Sequence, residues 1–261
     1  MRIYFLLCLS PFICCDRIQP QISTGHEPPL VEQKELKRRK FAEGSWQSFL
    51  QNLPLKQGLV IDYRGEAVSP QTKAAAIIDY DIGRQDLQQC ADALIRLRAE
   101  YLYAQKRYSE VGFHFTSGHY YSWDQYTAGV RPRVKGNKVQ FYKTDPRQQD
   151  HRSLRAYLDI VYAYAGTISL ASELKHANGF EVGTIIITPG SPGHCTIIID
   201  EATNERGEKL YKLAEGYTPA QSIYVLSNPF DSSISPWYKL SQGDIKTASY
   251  IFNNFFLRRF E

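Results

Sequence analysis

An α+β fold, with helices packed on a C-terminal antiparallel sheet, is predicted by three features of the sequence. The first part of the chain carries long segments of helical periodicity, above all "GRQDLQQCADALIRLRAEYLYAQKRY" and "HRSLRAYLDIVYAYAG". The last third changes to short strand-like runs, "VGTIIIT", "HCTIIIDEA", "KLYKLAEGY" and "SIYVL", separated by Gly, Pro and Asn. Helices first and a meander of strands later keep the two kinds of element apart, the pattern of α+β. With 261 residues, 43% of them hydrophobic, the chain can fill one sizeable core.

The chain opens with "MRIYFLLCLSPFICCDR": one positive charge, Arg2, then an apolar run too short to span a bilayer. It ends in Cys14 and Cys15 and resembles a bacterial lipoprotein signal, with Cys15 as the lipidation site. Phe12-Ile13 stands where small residues usually precede such a cysteine. Residues 1–15 are therefore expected to be a signal and 16–40, with Pro20, Pro28 and Pro29, a tether. Residues 41–261 are expected to form a single domain. The reading is an exported protein of the cell envelope, held to a membrane by lipid rather than by a span. A net charge of +4, with signs mixed along most of the chain, gives no basic stripe and argues against nucleic acid. No cofactor is called for.

Taken in order, "VEQKELKRRKFAEG" reads as a solvated helix or its approach. "SWQSFLQNLPL" is a short helix capped by Ser45 and ended by Pro54. "GLVIDY" and "AAAIIDYDI" read as strands separated by a turn region. The helix over 86–105 places Leu87, Cys90, Ala91, Leu94, Leu97 and Tyr101 on one face, with Asp86 as cap. "EVGFHFTSG" reads as a strand and turn, and a hairpin is expected around Gly136-Asn137. A second helix is built on Leu154, Tyr157, Leu158, Val161 and Tyr162, and "TISLASELKHA" continues or restarts it.

Two residues suggest chemistry. Cys90 lies near a helix start, where the partial positive charge of the helix lowers a thiol pKa, and a nearby imidazolium lowers it further. His194 follows the loop "PGSPG" and opens a strand. Counting outward from a turn near Asn204–Gly207 sets it opposite Glu215–Tyr217, so Glu215 is the candidate to hold the ring. A one-residue slip would turn Glu215 to the other face. Asp200 shares the face of His194 by alternation but lies roughly 20 Å along the strand, too far to serve. Cys195 points away from His194 and could instead bond to Cys90, so Cys90 faces either His194 or Cys195, not both. Packing as a small apolar residue is the plain alternative for Cys90. Candidate oxyanion donors are the Gln88 and Gln89 side chains and the Cys90 N–H.

Tyr120, Tyr121, Trp123 and Tyr126 are candidates for an aromatic platform that takes a glycan or peptide, or they simply line an interface edge. His114, His119 and Asp124 match no metal-ligand spacing, so no metal is expected.

The runs "FLQNLPLK", "DLQQCADALIRLRAEYLYAQ", "YAGTISL", "PGH", "TPAQSIYVL" and "SPWY" spread over most of residues 45–240. They resemble the bacterial lipoprotein-like family catalogued as domain of unknown function 4846. That resemblance implies an exported, lipid-anchored domain and no particular activity. It also implies Ala and Gln at positions 195 and 215 in relatives, which would make a Cys90–Cys195 disulfide a feature of this member. A second likeness is one of layout only: papain-like cell-wall peptidases also use a helix-borne Cys, a strand-borne His and a polar residue on the next strand. Cys90 lacks their usual Ser-Gly turn. Two functions follow. One is a non-catalytic binding or structural lipoprotein. The other is a papain-like thiol hydrolase or amidase acting on envelope peptides or peptidoglycan stems. The first is carried slightly ahead.

Overall fold

The computed structural model describes residues 36–261, and every element below belongs to the unit Gln33–Glu261. The expected signal over 1–15, the lipid site Cys15 and the tether up to residue 35 lie outside the described residues. The first strand, β1 (Lys37–Arg38), pairs with residues 202 and 203, so this part of the expected tether or solvated helix belongs to the sheet. Helix α1 (Trp46–Gln51) follows, with the Ser45 hydroxyl accepting the Ser48 N–H as cap. Pro54 leads into β2 (Leu55–Lys56), which pairs with β3 (Ala74–Ile78). "GLVIDY", expected as a strand, makes only isolated bridges from Ile61 and Asp62.

Helix α2 (Cys90–Ala104) starts four residues later than expected. Asp86 is not its cap: the Asp86 carboxylate accepts the Ala220 N–H and the Gln89 side-chain amide. The Gln89 N–H instead donates to Asp92 Oδ2 at 3.1 Å, across the first turn. Residues 91–102 are all buried, so α2 is a central helix rather than an amphipathic surface one. Two of its interior charged residues are paired: Arg96 donates to Glu100 and Asp81, and Glu100 also takes His151.

Next come the hairpin β4 (Gly112–His114) with β5 (Tyr120–Ser122), then α3 (Trp123–Thr127). A second hairpin, β6 (Val130–Lys135) with β7 (Lys138–Lys143), turns at Gly136-Asn137 as expected. Helices α4 (His151–Tyr162) and α5 (Thr167–Glu173) are separate, so "TISLASELKHA" restarts rather than continues. The remaining strands are β8 (Lys175–His176), β9 (Ile185–Thr188), β10 (His194–Thr203), β11 (Lys209–Glu215), β12 (Tyr224–Leu226), β13 (Trp237–Tyr238), β14 (Ile245–Lys246), β15 (Ile251–Phe252) and β16 (Phe256–Arg259).

Ten of these strands form one antiparallel sheet, ordered β2-β3-β12-β11-β10-β9-β16-β8, with β1 on β10 and β13 on β11. The fold is α+β, but the sheet is not C-terminal only: β1, β2 and β3 come from the first third of the chain. Strands β10 and β11 are its long central pair, and β10 is buried from His194 to Ala202. Continuous burial of alternating residues means that both faces are covered, which accounts for the apolar run Ile197-Ile198-Ile199.

The register of this pair decides which side chains share a face. Ile198 pairs with Leu213, but Asp200 pairs with Lys212, so Ile199 is an extra residue in the ladder. Such a bulge reverses the alternation beyond it. On the near side, His194, Thr196 and Ile198 share a face with Leu213 and Glu215. Asp200 lies on the opposite face, with Cys195 and Ile197, which corrects the face predicted for it by simple alternation. The bulge is what puts Glu215 on the side of His194.

Candidate active site

Three elements meet at the start of β10. Helix α2 packs against β10 and β11, and its first residue is Cys90. This close approach requires Gly216: a Cβ there would lie 2.7 Å from the Ala93 Cβ and 3.0 Å from the Gln89 carbonyl oxygen. Cys90 is half-buried, and its Sγ lies 3.9 Å from the Gly193 carbonyl oxygen.

His194 Nε2 donates to Glu215 Oε2 at 2.9 Å, and both residues are buried, Glu215 completely. The second carboxylate oxygen, Oε1, accepts the Tyr224 hydroxyl at 2.6 Å. Tyr224 is the residue paired with Glu215 in the β11–β12 ladder. The His194 ring is walled by Tyr217, Tyr250 and Phe252, with centroids 5.0, 4.8 and 5.7 Å away. Behind Glu215, the buried Lys73 ammonium donates to Gln221 and lies over the rings of Tyr217 and Tyr224.

The electrostatics follow from this packing. The Cys90 thiol is lowered to about 5, first by hydrogen bonding with Cys195, against the cost of burial, and then by hydrogen bonding with His194 and by its charge. Burial alone would lower His194, but its hydrogen bonds to Cys90 and Glu215, and the charges of both, raise it to about 9. Burial pushes the Cys195 thiol well up, and its interaction with Cys90 adds to that, so Cys195 stays a thiol and acts as donor. The two shifts run in opposite directions, the thiol down and the imidazole up, and both favour thiolate beside imidazolium.

The alternatives of Cys90 facing His194 or facing Cys195 are not exclusive: both residues lower the Cys90 thiol, whose hydrogen-bond contact is with the carbonyl oxygen of the neighbouring Gly193. Both thiols are free, with no disulfide between them.

As the first residue of α2, Cys90 has a backbone N–H without an intrahelical acceptor, suited to an oxyanion. The Gln88 side chain is 1% exposed and its oxygen accepts from Arg96, which takes it out of a substrate's reach. Gln89 is tied on both sides, donating to Asp86 and accepting from Thr218.

The aromatic candidates do not form a platform. Tyr121 and Trp123 are wholly buried and Tyr126 nearly so; only Tyr120 is exposed. Tyr121 packs on Phe115 and Tyr157, and Trp123 donates its indole N–H to Ser153. These side chains belong to the core under α4.

A family described as "Domain of unknown function (4846)" matches residues 29–259. The chain belongs to that family. No curated protein and no solved structure matches it. The matched span takes in Cys90, His194, Glu215 and Tyr224. Tyr224, Lys73 and the ring wall were missed by sequence reasoning. Tyr224 lies in the quoted run "TPAQSIYVL", but only the pairing of β12 with β11 gives it a role. Among the described residues no helix is long and apolar enough to cross a membrane.

Proposed function

We propose that the protein is a thiol hydrolase or amidase in which Cys90 is the nucleophile, His194 the acid and base, and Glu215 the group that orients the ring. The observation that carries this is the hydrogen bond from the buried His194 to a fully buried carboxylate, with the thiol of the helix-start Cys90 3.9 Å from the carbonyl oxygen of Gly193, the residue next to that imidazole. A buried carboxylate on a buried imidazole costs desolvation, and a packing role for Cys90 leaves that cost unexplained.

The Cys90 thiolate attacks a carbonyl carbon, and the electron pair of the C=O moves to oxygen, where the Cys90 N–H stabilises it. The tetrahedral intermediate collapses as the His194 imidazolium gives its proton to the leaving amine or alcohol. Water then attacks the thioester with neutral His194 as base, releasing the acid and restoring the thiolate–imidazolium pair. Glu215 holds Nε2, so Nδ1 is the nitrogen that works on sulfur and leaving group. The order of helix-borne Cys, strand-borne His and polar residue on the neighbouring strand is that of papain-like peptidases, a likeness of layout.

The N-terminal sequence supports export and lipid attachment at Cys15, which would bring the site to envelope peptides or peptidoglycan stems as substrates. The test is a thioester acyl donor followed by intact-mass measurement. An acyl adduct on Cys90 that builds up and then hydrolyses, and that accumulates slowly in His194→Ala, supports the reading. Absence of any adduct on Cys90 in a folded protein rejects it, leaving a binding or structural role.

A further inference from the structure

Lys73 is a buried cation that the reaction described above does not use. It immediately precedes β3, is 6% exposed, and donates to Gln221 Oε1 at 3.2 Å. Lys209 and Lys212 each reach a buried carboxylate, Glu201 and Asp200, whereas Lys73 is in no ion pair among the described residues. Burying a lysine in this way costs desolvation and side-chain freedom. An apolar side chain would fill the space with neither cost. Burial lowers the Lys73 ammonium from its ordinary value, and the charge of Glu215 opposes that.

What sets Lys73 apart is its place. The ammonium lies 5.1 Å from the ring centre of Tyr217 and 5.2 Å from that of Tyr224. Tyr224 is the phenol that donates to Glu215, and the Tyr217 ring is 5.0 Å from the His194 ring. A single ring thus links Lys73 to each member of the His194–Glu215 pair, and the ammonium lies within about 10 Å of the imidazole. Facing His194 are Cys90, Glu215, Tyr217 and Tyr250; facing Lys73 are Glu215, Gln221, Tyr217 and Tyr224. Within this set Lys73 is the cation whose charge does not change during the reaction. Before reaction, thiolate, imidazolium, carboxylate and ammonium balance. Acylation of sulfur and proton transfer to the leaving group remove the thiolate and imidazolium charges together. Glu215 keeps its own, and Lys73 is then its counter-charge. Without that counter-charge the carboxylate would hold a proton on His194, and a protonated imidazole cannot act as base.

We infer that Lys73 is a positioning residue of the Cys90 site: its charge balances Glu215 after acylation and so lets His194 stay neutral and take the proton of the attacking water. The inference rests on the hydrolase reading above. In that step the water oxygen bonds to the acyl carbon, one water proton passes to His194 Nδ1, the C–S bond breaks and its electron pair returns to sulfur as thiolate.

The test is the rate at which the Cys90 acyl adduct hydrolyses. The full chain is loaded with a thioester donor at one pH, then moved to a series of pH values and followed by intact mass. Wild type is compared with Lys73→Met and Gln221→Glu. The second variant keeps Lys73 but sets an anion against it, and the Gln221 Nε2 it replaces is buried with no partner among the described residues. In both variants the midpoint of hydrolysis against pH should rise by about one unit, the effect of a unit charge at about 10 Å inside a protein. Lys73→Arg keeps the charge and should keep the wild-type midpoint. A residue that only packs would change the unfolding temperature or the yield of active protein and leave the midpoint where it is. Circular dichroism identifies which variants are folded, and Gln221→Glu carries the test if Lys73→Met is not. Folded variants whose midpoint is unmoved or falls overturn the inference and leave the hydrolase reading standing. A wild-type chain that forms no adduct on Cys90 rejects that reading, and the inference with it.

Discussion

The two ends of the β10–β11 ladder both bury carboxylates, and they treat them differently. At the far end, Asp200 and Glu201 are buried, but each is met by cations that reach in from the surface: Arg38 and Lys212 at Asp200, Arg39 and Lys209 at Glu201. At the near end Glu215 is met by an imidazole and a phenol, both buried, and the imidazole in turn acts on a thiol. The first arrangement neutralises charge with cations that reach in from solvent. The second couples the carboxylate to an imidazole that is raised and a thiol that is lowered from their ordinary values. Burial of a carboxylate alone therefore does not mark a site; the chemistry of its partners does.

The comparison is broken most severely at His194. His194→Ala should return Cys90 toward an ordinary thiol and cut its alkylation rate near pH 6 on the order of 100-fold. Removing an interior partner comes next. Glu215→Ala leaves the His194 and Tyr224 donors buried and unpaired, a loss of about 2–4 kcal/mol in denaturant unfolding. Glu215→Gln keeps an acceptor for His194 but removes the charge that helps raise it. The upper limb of activity against pH should then move down from about 9, with most of the stability retained.

Smaller effects sharpen the contrast. Cys195→Ala removes a weak S–H donor from the Cys90 thiolate and leaves the imidazolium in place, so the midpoint of alkylation should move above about 5, with a several-fold lower rate at that pH. At the other end of the ladder, Arg39→Ala removes a half-exposed partner of Glu201. It should cost less than about 1 kcal/mol and leave Cys90 reactivity unchanged. A change in Cys90 reactivity there would show that the two ends are not separate.

Much of this was legible in the sequence. Helical spacing located α2 and α4, turn residues located the β6–β7 hairpin, and a helix-start cysteine with a strand-start histidine pointed to the site. What was not legible depended on register and on long-range pairing. The bulge at Ile199 reverses alternation without a sequence mark, so Asp200 was placed on the wrong face while Glu215 was placed on the right one. Aromatic residues with polar tips read as a surface platform, but Tyr121 and Trp123 satisfy those tips internally, on Val130 and Ser153, and so can be buried.

The central claim is that Cys90 and His194 exist as thiolate and imidazolium at neutral pH. The most direct measurement is the rate of Cys90 alkylation by iodoacetamide across pH, followed by peptide mass mapping, with His194→Ala alongside. The account predicts a rate that rises through about pH 5 to a plateau lasting to about pH 9, and a variant whose rise is displaced to higher pH. A wild-type thiol that reacts only in the ordinary thiol range, or only after unfolding, would contradict it.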